Sequence, residues 1–258
     1  MLHDTTSDVS DKSFHARDAN GATLNLVEGK TGYTSASISD PNTGMIHSIS
    51  KFPDGKMMTV STHSNDFPKE SSESPPEDDI DAKNAKVYSG SGRNPQDDGS
   101  IIDIMVLWTR KAECRRSQMP KGCTLNAQTR AHMKSLVDLA IAETNLAYTN
   151  SAIATQLRLV HAYRENTLDE DVEGYSNSLS ALRSSTDGKM DDVHALRDEK
   201  GADMVALLVD HSAFCGIAYI GPRVDLMFSV TSWFCATGTY TFGHELGHNQ
   251  VRIAAFTQ

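Results

Sequence analysis

Between positions 64 and 99 the chain carries few side chains able to enter a core. Ser, Glu, Asp, Pro and Gly dominate, as in Glu70-Ser71-Ser72-Glu73-Ser74-Pro75-Pro76-Glu77-Asp78-Asp79. Such a stretch buries too little apolar surface to offset the entropy of ordering it, so it reads as a flexible linker. It therefore divides the 258 residues into a short first part, 1–63, and a larger second part, 100–258.

The two parts differ in pattern. Residues 1–20 are polar, without an apolar period, and read as disordered. Residues 22–63 read as a meander of short strands. Leu24 and Leu26 alternate with polar residues, and turn clusters at Asp40-Pro41-Asn42-Thr43-Gly44 and Pro53-Asp54-Gly55 separate Ala36-Ser37-Ile38-Ser39, Met45-Ile46-His47-Ser48-Ile49 and Met57-Met58-Thr59-Val60.

From Ile101 the alternation is of strands and helices. Ile101-Ile102-Asp103-Ile104-Met105-Val106-Leu107-Trp108 and Met204-Val205-Ala206-Leu207-Leu208-Val209 are nearly continuous apolar runs, as buried strands require. A long helix is expected over 126–149, where Met133, Leu136, Val137, Ala140, Ile141 and Tyr148 form one apolar face. Further strands are expected at 156–163, 216–220 and 226–230, and helices at 178–183, 187–200 and from about 239. This order implies a mixed sheet with helical crossovers, an α/β (α+β) arrangement.

The last of those helices carries the chemistry. His244-Glu245-Leu246-Gly247-His248 sets two imidazoles four residues apart, which puts both on one helix face. That spacing suits two ligands of a tetrahedral Zn2+. Glu245 lies beside them, placed to take a proton from an activated water and to pass it to a leaving amine. The competing reading is an amphipathic core helix with two satisfied histidines. Gly243 and Gly247 speak against it, because each weakens a helix by about 1 kcal/mol relative to Ala. His132, His161 and His194 read as structural or solvated, Trp108 and Trp233 as packing residues, and Asp169-Glu170-Asp171 as a solvated loop.

Charge and cysteines bound the setting. The formal net charge is -10. Residues 1–99 hold 16 acids and 9 bases, net -7, against 18 and 15, net -3, in 100–258. Nucleic-acid binding, which needs clustered cations, is not expected. No run approaches the roughly 20 apolar residues of a membrane span, and Met1-Leu2-His3-Asp4-Thr5-Thr6 lacks the apolar core of a signal peptide. The cysteines are Cys114, Cys123, Cys215 and Cys235. Three pairings are possible; the local pairs Cys114/Cys123 and Cys215/Cys235 are favoured, with four unpaired thiols as the alternative. Two disulfides would imply an oxidising, extracellular compartment.

Gly243-His244-Glu245-Leu246-Gly247-His248-Asn249 resembles the first half of the metzincin zinc signature, which continues as xxGxxH. Cys215-Gly216-Ile217-Ala218-Tyr219-Ile220-Gly221 resembles the edge-strand region of reprolysin-type (adamalysin-like, M12B) domains, where an extended substrate pairs beside the zinc. The resemblance spans roughly 100–249. It implies a metzincin-like mixed twisted sheet with long helices and an active-site helix, preceded by a small β-rich propeptide-like region over 1–63. It implies a secreted, monomeric zinc metalloendopeptidase acting on protein or peptide substrates. By this resemblance His244 and His248 are metal ligands, Glu245 is catalytic, and Gly216, Ile217, Ala218 and Tyr219 line the substrate. No cysteine in 1–113 can cap the metal.

The family pattern puts Gly at position 251 and the third His ligand at 254, where this sequence has Val251 and Ala254. The sequence then runs out at Gln258, before a methionine turn, so a C-terminally truncated catalytic domain is expected. The alternative function is therefore a catalytically impaired product, or a non-enzymatic peptide-binding or extracellular module.

Overall fold

The structure is a computed structural model describing residues 12–73, 101–118 and 123–250. The expectations for 1–11, for most of the acidic stretch (74–100), and for Val251 and Ala254 fall outside the described residues.

The first part is a five-stranded antiparallel meander in the order β1 (Lys12–Arg17), β2 (Thr23–Glu28), β3 (Thr34–Asp40), β4 (Met45–Lys51) and β5 (Met57–His63). The anticipated turns sit between these strands, with Gly44 and Gly55 at φ 68° and 86°. Strand β1 departs from the reading of 1–20 as disordered. Its residues are mostly exposed and gain order by pairing with β2 from Lys12 opposite Glu28 to Arg17 opposite Thr23. A lone polar strand has no apolar period to announce it.

The acidic stretch is ordered at its start. Residues Ser64–Asp66 form a 3-10 turn, and Ser71–Glu73 form β6, paired parallel to a strand of the second sheet.

That second sheet has six strands in the order β6, β10 (Gly216–Tyr219), β11 (Phe228–Ser232), β9 (Met204–Val209), β7 (Ile101–Trp108) and β8 (Gln156–Arg164). Strands β7, β8, β9 and β11 are mutually parallel where they pair, and β10 runs antiparallel to β11. The helices are α1 (Arg110–Arg116), α2 (Ala127–Asn150), α3 (Glu170–Arg183), α4 (Asp192–Lys200) and α5 (Thr241–Gln250). The alternation along β7 builds two cores. Ile104, Val106 and Trp108 face α2 and α5, while Met105 and Leu107 face α3 and α4. Helix α1 was not anticipated; Thr109 caps it by accepting from the Ala112 amide. Helix α3 begins earlier than expected: Asp169 is its N-cap and Glu170 is buried, so Asp169-Glu170-Asp171 opens a helix and is not a solvated loop.

One apolar face was expected on α2, yet it is buried on two sides because it lies between the two sheets. Its apolar side packs on the six-stranded sheet. Its polar side meets the meander. His132 lies against Tyr33 and Phe52, with ring centroids 5.4 and 4.8 Å away, and Ser135 Oγ is 2.8 Å from Ser35 Oγ. Glu143 accepts from Ser37 Oγ, from Asn25 Nδ2 at 3.4 Å and from the Gly238 amide at 2.9 Å. It thus ties β2, β3 and the approach to α5 to one carboxylate.

Burial pushes the pKa of Glu143 from 4.5 up to about 7, against the lowering effect of these donors. The folded chain therefore holds this proton more tightly than the unfolded chain. Stability from this group is complete below pH 4.5 and falls as the pH rises to about 7, by at most about 1.4 kcal/mol per unit. Chemical denaturation of wild type and Glu143→Gln across this range should show that slope in the wild type and a flatter profile in the variant. Parallel profiles would refute it.

Candidate metal centre

Helix α5 orients its side chains by simple periodicity. Phe242 and Leu246, four apart, are buried in the core shared with α2. Glu245 and Asn249 are also buried, whereas His244 is exposed and His248 half-buried. The two imidazoles meet edge to face with centroids 4.6 Å apart. The glycines that precede the two histidines differ in purpose. A Cβ on Gly243 would lie 2.9 Å from Thr144 Oγ1, so this glycine lets α5 approach α2; Gly247 has no atom within 4 Å of such a Cβ.

Glu245 is fully buried, and neither carboxylate oxygen has a hydrogen-bond partner. Burial, and then the negative charge of Glu70, push its pKa from 4.5 up to about 9. An unpaired buried carboxylate is unfavourable by about 1–3 kcal/mol, so packing alone does not account for it. Burial, followed by the neighbouring His244, holds His248 below its ordinary value.

Strand β10 is the opposite wall. Gly216, Ile217, Ala218 and Tyr219 compose it, all buried. Ile217 and Tyr219 point into the second core, which leaves Gly216 and Ala218 on the α5 side. A Cβ on Gly216 would stand 2.3 Å from Glu245 Oε1 and 2.5 Å from its Cγ. Glycine is thus required for this carboxylate to sit where it does. The disulfide Cys215–Cys235 joins the start of β10 to the segment before α5, and Cys114–Cys123 closes the loop after α1. Both expected local pairs are present.

Asn249 locks the other end of α5. Its Nδ2 donates to the carbonyls of Tyr219 (2.8 Å), Leu226 (2.9 Å) and Phe228 (3.3 Å), and the His248 carbonyl accepts from the Gly221 amide at 3.0 Å. The motif residue with no chemical part thereby fixes the helix against β10 and β11.

Gly216→Ala should lower stability by about 1–3 kcal/mol, because a fully buried Glu245 has no space to yield. Gly247→Ala, whose added methyl meets nothing, should not lower the melting temperature. Equal melting of the two variants would contradict the close approach of β10 and α5.

The acidic stretch supplies one residue that sequence patterning did not single out. Glu70 Oε2 lies 3.0 Å from His244 Nε2, and its Oε1 accepts from Thr241 Oγ1 at 2.7 Å. Donor atoms of Glu70, His244 and Glu245 all lie within 4.8 Å of one another. One imidazole and two carboxylates this close together, with the His248 ring edge to face with that of His244, are a donor set that fits a divalent metal, and neither oxygen of Glu245 has a protein partner.

Residues 134–251 match Metallo-peptidase family M12B Reprolysin-like, so this portion of the chain is similar to a metzincin-like M12B domain. The chain is 42% identical over 120 residues to a peptidyl-Asp metalloendopeptidase of Stenotrophomonas maltophilia (strain K279a), covering 46% of this chain and 28% of that protein. It is 31% identical over 166 residues to the peptidyl-Asp metalloendopeptidase of Pseudomonas aeruginosa, covering 57% of this chain and 24% of that protein. The chain thus spans about a quarter of the length of these curated relatives. A solved chain described as "Structure of a chaperone-substrate complex" aligns over 92% of this chain and 32% of its own with 16% identity and a TM-score of 0.42.

Proposed function

We propose that this chain is a zinc-dependent metalloendopeptidase, with His244 and His248 as metal ligands and Glu245 as general base. The observation that carries the reading is Glu245 itself, buried and unpaired against Gly216 beside both imidazoles. Bound zinc would polarise a scissile carbonyl and acidify a water. Glu245 would hold that water's proton on its carboxylate and release it to the departing amine. The edge of β10 away from β11, which β6 occupies here, would orient an extended peptide by strand addition once free of β6. Peptides containing aspartate are the first substrates to assay, since the relatives carry that residue in their name. An extracellular setting accords with the two disulfides; among the described residues no helix is long and apolar enough to cross a membrane. The meander and the segment after it serve as a propeptide-like region in this reading.

A second reading is favoured by one observation. The family's third-ligand position is Ala254, so the chain has the fold and the base with weakened catalysis. Hydrolysis of an unfolded protein substrate separates the two. Cleavage that a chelator stops, zinc restores and Glu245→Ala removes supports the peptidase. Zinc binding with no cleavage, in both the wild type and Glu70→Ala, supports the impaired product.

A further inference from the structure

We propose that Arg116 anchors a buried anion site, shared with Ser50 and His132, which takes a small monovalent anion of the halide class where α1 and α2 meet the meander.

Arg116 ends α1 and is among the largest fully buried side chains of the chain. It keeps its charge there: burial brings its pKa down to about 10, still well above neutrality, and no neighbouring carboxylate acts to raise it. Glu113, one turn earlier on α1, is engaged elsewhere. Its oxygens accept from Trp108 Nε1 at 2.6 Å, Thr129 Oγ1 at 2.5 Å and Arg164 Nη1 at 3.3 Å. Among the described residues the guanidinium donates from Nη2 to Ser35 Oγ at 3.0 Å, and its buried Nε has no partner. A buried charge without a counter-ion is strongly unfavourable.

The surrounding hydroxyls supply no negative charge. Ser135 Oγ donates to the His132 carbonyl at 2.8 Å, so in its 2.8 Å contact with Ser35 it accepts. Ser35 has then spent its proton and takes Nη2 on a lone pair. That chain of bonds is complete, and beside it stand donors with no acceptor. Ser50 lies opposite Ser35 in the register of β3 and β4, which puts both hydroxyls on one face of the meander. Both serines are fully buried, and Ser50 Oγ has no partner.

His132 is seated beside the same pair. It packs on Tyr33, two residues before Ser35, and on Phe52, two residues after Ser50. Both of its ring nitrogens are buried and unpartnered. Burial, and then the charge of Arg116, hold its pKa down to about 3, so the ring is neutral and offers an N–H. A charged Nε–H, a hydroxyl and an imidazole N–H around one cation suit an anion. Water would satisfy the hydrogen bonds and leave the charge uncompensated. A single guanidinium balances a single negative charge, and enclosure by Tyr33 and Phe52 favours a compact ion. Such an ion would touch α1, α2 and β4 together and so fasten the meander to the second part of the chain.

The test melts the full chain while chloride replaces gluconate at constant ionic strength, for wild type, Arg116→Met and Ser50→Ala. Above the dissociation constant, each tenfold rise in chloride is expected to raise the wild-type melting temperature by about 3–6 °C. Bromide should reproduce the effect and give an anomalous scattering peak beside Arg116 in crystals. Arg116→Met should lose the chloride response, and Ser50→Ala should need about tenfold more chloride for the same response. Should Arg116→Met not fold, Ser50→Ala and the bromide peak decide the matter. Equal melting of the wild type in chloride and gluconate overturns the site. So does a chloride response that Arg116→Met retains in full, an unshifted response in Ser50→Ala, or a bromide peak only at other positions.

Discussion

Replacing Glu245 by alanine is expected to slow metal-dependent peptide hydrolysis by about 10²–10⁴-fold, the usual contribution of a positioned general base, while zinc binding is retained and the melting temperature does not fall. The two parts of this result come from the same geometry. Glu245 is fully buried and both oxygens lack partners, so the folded chain carries an uncompensated polar group. Removing it relieves about 1–3 kcal/mol, which offsets the small cavity left behind. A residue kept for stability would show the opposite pattern, with a lower melting temperature and hydrolysis changed only in proportion to unfolding. Gly216 reinforces the argument, because β10 gives up a side chain so that the carboxylate can occupy that position. Activity and stability are expected to move apart, as they do where a site is held at the expense of packing.

Much of this arrangement was legible in residue patterns. The four-residue spacing of His244 and His248 dictated a shared helix face whatever the fold. The apolar runs of β7 and β9 announced buried strands, and cysteine spacing favoured the local disulfides among three possible pairings. The unread parts share a physical cause, which is that they depend on contacts between distant segments. Glu70 sits in a run of acids and serines with no period, and 171 residues separate it from Thr241. Nothing local distinguishes it from the acids around it. Helix α2 looked one-sided because Ser135 and Glu143 are polar, yet those are the groups that meet Ser35, Ser37 and Asn25 of the meander. A polar interface is invisible to hydrophobic periodicity. Asn249 belonged to the recognised motif, but its three carbonyl partners come from β10, β11 and the turn between them, which only the fold brings together.

The second large effect concerns the metal. His244→Ala and His248→Ala each remove one of the two imidazoles that the proposed function makes metal ligands, whose ring centroids are 4.6 Å apart on α5. Loss of a ligand exceeds the tenfold to hundredfold penalty typical of a group that only supports one, so each variant is expected to bind zinc at least about a hundredfold more weakly. Leu246 and Phe242 keep the helix in the core, so folding without metal should be unaltered. The most direct measurement is metal content of the purified full chain after dialysis against trace zinc, alongside both variants. The account predicts close to one zinc per wild-type chain and essentially none in either variant. A wild-type chain that retains no zinc, or variants that retain it fully, would contradict a metal centre on this helix.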